Sequence, residues 1–151
     1  MDFLLGMNAK LYAGAKLTSI QGTETPVSWT PGVVDNVKDV TLSLEAGEAD
    51  VTTRGNSGWR ATAPTLKEAT LEFEMQWLPG DAAFTLIRNA FLDSDVVALA
   101  PLTDAVDQSD AEGLVGNWAI TNFSRNEALE EAITVSVTAK LSAFAQWLKV
   151  T

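Results

Sequence analysis

Glu72 and Glu74 stand two residues apart in an alternating stretch. That spacing puts both carboxylates on one strand face, about 6.5 to 7 Å apart at the backbone for a rise of about 3.3 Å per residue. Such a pair has the types needed for the acid and base of a glycosidase, whose carboxylates usually come from different elements. Two acids on one strand therefore read as a solvated or interface-facing surface. Asp107, Asp110 and Glu112 form a second acidic group. They lack the alternate acids and following glycine of an EF-hand calcium loop, and read as an exposed loop. The chain has no histidine and no cysteine, which removes imidazole and thiolate zinc sites, disulfides, cysteine nucleophiles and the usual histidine base. No catalytic residue, metal site or cofactor is expected.

Trp59 lies in the run TTRGNSGWRATAP, where a large ring has little local core to enter. With Arg54 and Arg60 on either side, it has the make-up of an anchor that inserts into a partner's pocket. Two other readings compete: the loop folds back so that Trp59 covers its own sheet edge, or the ring is the platform of a monomeric carbohydrate-binding β-sandwich module. Trp77 and Trp118 fall at inward positions and are expected in the core.

The elements that must position these residues follow from periodicity. Ala69, Leu71, Phe73, Met75 and Trp77 alternate with Glu68, Thr70, Glu72, Glu74 and Gln76, which predicts a strand with one buried and one acidic face. Ile133, Val135, Val137, Ala139 and Leu141 repeat the pattern in a β-branched stretch. A third strand carries Leu42 and Leu44 inward, and its parity slips near Ala46 and Gly47, which predicts a β-bulge there. Shorter strands are expected at Ala9 to Ala13, Val96 to Ala100 and Trp118 to Phe123. The second of these is apolar throughout, as a strand covered on both faces would be. After Pro79-Gly80, Asp81 can cap a helix at about 80–93 whose Ala83, Phe84, Ile87, Ala90 and Phe91 share one side. Thr18 to Gly32 and Thr52 to Pro64 are turn-rich and aperiodic.

Composition sets the outer bounds. At 151 residues and 46% hydrophobic, the chain fits one domain, 1–151, that buries roughly 70% of its unfolded surface. Twenty acidic against 10 basic residues give a net charge of −10, which repels phosphates and disfavours sequence-reading DNA binding. No apolar run reaches the roughly 18 residues of a membrane span, and Met1 to Gly6 carries an acid where an export signal needs positive charge, so neither membrane contact nor export is expected.

The run VKDVTLSLEAGEADVTTRGNSGWRATAPTLKEATLEFEMQW, residues 37–77, resembles the major tail tube proteins of long-tailed phages. The likeness continues through GDAAFTLIRNAF, VVALAP and NWAITNFSRNEALEEAITVSVTAKLS, and covers roughly residues 8–141. The resemblance implies a mainly β fold, a sandwich or partly open barrel with one flanking helix and a stacking loop at about 52–64. It further implies six subunits per ring, a continuous lumen-lining barrel, and a tube conducting double-stranded DNA without sequence-specific binding. By the same resemblance, the inter-ring loop would use Arg54, Asn56, Trp59 and Arg60. Glu68, Glu72, Glu74, Glu127 and Glu130 become candidates for an acidic lumen wall. The partners implied are further copies of the chain, a tape measure protein, a tail terminator and baseplate or tail-tip proteins, in a virion assembled in the bacterial cytoplasm. The segment 142–151, with Trp147, matches no part of the pattern.

Overall fold

The alternating run around Phe73 is the inner half of a long strand in the computed structural model, which describes residues 4–151. In chain order the elements are β1 (Lys10–Gly14), β2 (Pro31–Val33), β3 (Val37–Asp50), β4 (Thr62–Gln76), α1 (Ala82–Leu92), β5 (Val96–Leu102), β6 (Glu112–Asn126) and β7 (Thr134–Lys149). All seven strands join one antiparallel sheet in the order β2-β1-β5-β6-β7-β4-β3. Of the two architectures expected, this is the open one. Leu11 of β1 and Leu71 of β4, from opposite parts of the sheet, share a single apolar cluster, so the sheet curls around its core.

Helix α1 fills the concave side, with Ala83, Phe84, Ile87 and Ala90 buried as the spacing predicted. Asp81 caps it, its carboxylate accepting from the Phe84 N–H at 2.9 Å. Trp118 is fully buried, and its Nε1 donates to the Leu99 carbonyl at 3.0 Å, which satisfies the one polar atom its ring brings inside. Trp77 is half-buried, edge-on to Phe84 with ring centres 4.9 Å apart, and the Arg125 guanidinium lies 5.0 Å from the Trp77 ring centre. The opposite side of β1, β5, β6 and β7 carries a second cluster of Tyr12, Ala100, Leu102, Val115 and Ala145, roofed by Leu17, Trp29 and Val106. Coverage on both sides is why β5 contains no polar residue.

Several boundaries differ from the periodic reading. β6 starts at Glu112 instead of near Trp118, and β7 runs on through the segment 142–151 as far as Lys149. The register of this pair slips at Val115/Gly116, Asn117/Trp118 and Ile120/Asn122. Each slip places an extra residue on one strand and interrupts the alternation, which hides a strand from a period-of-two test. Gly113 has a specific cause: a Cβ there would sit 1.8 Å from the Pro101 carbonyl oxygen. The bulge expected near Ala46 and Gly47 is present, between the pairs Ala46↔Lys67 and Glu48↔Pro64. Its extra residue lies in β4 opposite Gly47 and not in β3. The aperiodic loop is also shorter than 52–64, because Thr62 to Pro64 already belong to β4. Pro64 is tolerated there since β4 pairs with β7 only from Thr70 onward, leaving one side of the strand without a ladder to interrupt.

Candidate assembly surfaces

Three surfaces carry the residues singled out by sequence: a projecting arm, an acidic outer face and the free sheet edges. The arm arises because β3 and β4 continue as a two-stranded ribbon after β4 parts from β7 at Thr70. From Ser43 to Asp50 the ribbon spans roughly 23 Å at about 3.3 Å per residue. Both its faces meet solvent, and Leu44 and Leu66 are exposed on it. A two-stranded ribbon has only marginal stability alone, so its order depends on the sheet at its base and on bonds within its tip.

Those tip bonds are numerous. The Val51 N–H donates to the Ala61 carbonyl at 3.0 Å, and the Trp59 N–H to the Asn56 carbonyl at 3.0 Å. The Asn56 side-chain amide donates to the Trp59 carbonyl at 2.9 Å. Ser57 and Gly58 take left-handed conformations at φ 51° and 83°, which turn the chain between them. Asn56 is thus a fastener of the tip, while Trp59, 76% exposed, projects from it. Arg54 and Arg60 are exposed beside it. Neither arginine is in an ion pair among the described residues. The structure therefore brings Arg54, Asn56, Trp59 and Arg60 together, and Trp59 does not fold back over its own sheet edge.

Asp50 closes the base of the tip by accepting from the hydroxyl and the backbone N–H of Thr52. These two bonds, the hydroxyl first, hold the Asp50 carboxyl below its ordinary value. A depressed folded-state value means that this contribution is complete above the ordinary aspartate range and is lost as pH falls through the depressed value. In an acid titration followed at the Thr52 amide by NMR, the midpoint is expected below that of a free aspartate. A midpoint at or above it would remove the capping role.

The acidic face lies opposite the core. On β4, Glu68, Thr70, Glu72, Glu74 and Gln76 alternate with the buried Ala69, Leu71, Phe73 and Met75. Cross-strand partners continue the same face with Thr41 and Ser43 on β3, Thr138 and Ser136 on β7, and Asn122 and Ser124 on β6. Lys140, opposite Thr70, and Ala119 beside it border the same face. Glu68, Glu72 and Glu74 thus form a line along one strand, with Glu74 reaching Lys38 at 3.9 Å. Glu127 and Glu130 lie in the turn between β6 and β7, at the end of the face away from the arm. Glu127 forms an ion pair with Arg125 at 3.4 Å. Sequence reasoning missed Glu45, which the register sets directly opposite Glu68. Only the pairing reveals it, and like charges so placed are unfavourable within one chain.

Glu72 is exposed on an open sheet surface, while the half-buried Glu74 borders a small pocket with Lys38 and Asn36, so the two do not face one cleft. Among the described residues no group of three or more His, Cys, Asp or Glu side chains is arranged to hold a metal ion. No described helix is long and apolar enough to cross a membrane. The edges are unequal: β2 offers three residues and β3 fourteen, and among the described residues neither is paired on its outer side.

This arrangement matches known proteins. A family model described as phage tail tube protein fits residues 20–144. No curated protein sequence matches the chain. Among solved structures, the tail of an empty gene transfer agent particle, refined helically with C6 symmetry, superposes with a TM-score of 0.70 at 14% identity, covering 97% of this chain and 98% of that one. The virion of a native gene transfer agent particle gives 0.69 at 13% identity, covering 95% and 98%. The SPP1 tail tube gives 0.65 at 14% identity, covering 97% of this chain and 78% of that one. At such identities the superpositions establish the shared fold, and the family match over most of the sequence establishes kinship: the chain belongs to the phage tail tube protein family.

Proposed function

We propose that this tail tube subunit, acting as a single domain over residues 1–151, assembles into hexameric rings that stack into a tube whose acidic lumen conducts double-stranded DNA. The chain catalyses nothing in this reading. The observation that carries it is the combination of two unpaired sheet edges with a projecting arm whose largest apolar ring is in solvent. Unpaired edges invite uncontrolled association unless identical neighbours close them, and ring symmetry provides that closure. The C6 symmetry of the gene transfer agent tail supports six copies per ring. Arms bearing Arg54, Trp59 and Arg60 join successive rings. The further partners are a tape measure protein, a tail terminator and baseplate or tail-tip proteins.

The lumen wall is formed by the polar face of β3, β4, β7 and β6. Glu68, Glu72 and Glu74, with Glu127 and Glu130 at one end, repel phosphates and outnumber the two lysines of the same face, Lys38 and Lys140, of which Lys38 is drawn to Glu74. The Glu45–Glu68 repulsion fits a surface shaped for passage more than for monomer stability. A carbohydrate platform is less well supported, since the arm tip carries no second aromatic residue.

Electron microscopy of the purified protein tests assembly: stacked six-fold rings are expected, and a persistent monomer at high concentration would overturn the proposal. The lumen assignment is tested by converting Glu68, Glu72 and Glu74 to lysine together. Tubes should still form and should now bind DNA, with log affinity falling against log salt by a slope of about 0.9 for each phosphate the lysines neutralise. Variant tubes that bind DNA no better than the parent would place these side chains away from the bore.

A further inference from the structure

The curled sheet does not close between its β2 and β3 edges, and a groove of about 840 Å³ lies at that seam. Its walls are mixed but mainly apolar, with Leu11, Val34, Val37, Val40, Leu42 and Leu102 among them. At one end Trp147, from the stretch of β7 that periodicity did not reveal, donates through Nε1 to Glu112 at 2.6 Å. Asp35 and Asp39 add carboxylates along the β3 side, Asp39 standing in a bulge of β3 at φ 54°. Lys10 and Lys38 also border the groove, but Lys38 is drawn to Glu74.

We propose that this groove receives the Trp59 arm tip of a second copy of the chain, an inference that rests on the arm's stacking role proposed above. The chemistry matches part by part. An exposed indole needs apolar walls, and the groove supplies them. Arg54 and Arg60 are cations without a partner among the described ion pairs, and Asp35, Asp39 and Glu112 place carboxylates at the groove. The tip itself carries no acid between Val51 and Ala61, in a chain of net charge −10.

The occupant cannot be the chain's own arm. Leu42 lines the groove while Asp50, on the same paired strand, lies roughly 26 Å further along at about 3.3 Å per residue. Backbone pairing from Thr41 to Asp50 holds that ribbon out, so the tip meets only another molecule's groove. One tip and one groove per subunit make a head-to-tail interface, which propagates instead of stopping at a dimer. That is the interface needed for a tube to lengthen.

The absence of cysteine makes a clean test. Ser57→Cys at the tip and Val40→Cys in the groove are combined in one chain, and assembled protein is treated with a short bis-maleimide. The double variant should give a ladder of covalent multimers, and each single variant none. Tubes that form without a ladder, or a ladder from Ser57→Cys alone, overturn the docking. A charge exchange provides the second measurement. Arg60→Glu and Asp35→Lys should each slow elongation roughly tenfold, as lost electrostatic steering does, and together restore it. Single variants that elongate like the parent, or a combination that fails to recover, also overturn it. If Trp59→Ala assembles normally, the arm reading itself fails; if it blocks stacking while the ladder is absent, only the groove is wrong.

Discussion

Trp59→Ala is expected to abolish most tube formation while leaving the subunit as stable as the parent. The two halves of this result have separate causes. Trp59 is 76% exposed and touches no core cluster, so its removal takes little apolar surface out of the folded monomer. The tip's fasteners involve its backbone and the Asn56 side chain, which the substitution keeps. At the interface the balance reverses, because truncating a central aromatic anchor costs about 2 kcal/mol or more. That corresponds to roughly thirtyfold weaker binding at about 1.4 kcal/mol per tenfold. Rings joined by several arms would feel it repeatedly, since the effects of linked interfaces multiply. Thermal melting and sedimentation of the two proteins side by side decide the matter. Equal pelleting would refute the anchor, and a lowered melting point would recast Trp59 as a structural residue.

Trp118→Ala is expected to have the largest effect on folding. Its ring is fully buried at the centre of the main cluster, and truncating such a ring costs about 3 to 5 kcal/mol. The substitution also leaves the Leu99 carbonyl without the indole N–H that now satisfies it. Against a total stability of about 5 to 15 kcal/mol for an ordinary domain, this loss is enough to populate unfolded chains. Urea denaturation should show a much lower midpoint, and tube yield should fall with the folded fraction. Trp118→Phe, which keeps most of the ring but no donor, should fall between the two. A midpoint for Trp118→Ala within experimental error of the parent would mean that the core is centred elsewhere.

These two tryptophans are chemically identical, and sequence context separates the buried one from the exposed one. Trp118 occupies an inward position in an apolar run, while Trp59 lies among glycine, serine and arginine with no periodic neighbours. The acidic face is equally legible, because strict alternation from Glu68 to Trp77 forces the glutamates to the side opposite Leu71, Phe73 and Met75. Glu45 is not. Its place opposite Glu68 depends on register, which bulges at Asp39–Val40 and opposite Gly47 shift along the β3–β4 pair.

The seam groove is likewise invisible in the sequence. Its lining comes from β1, the start of β3, β5 and β7, segments far apart in the chain that only sheet order brings together. The same holds for the far half of β7: two slips against β6 interrupt its alternation beyond Leu141, so the period that Val135 and Val137 set does not carry through to Trp147. By itself the sequence determined the central part of every strand but the short β2, where the α-helix starts, and which way the side chains of each uninterrupted run point. Those properties follow from interactions within a few residues and from a fixed period. The curl of the sheet, the departure of the arm from β7 and the open seam were decided by long-range pairing, where one inserted residue changes everything beyond it and leaves no local mark.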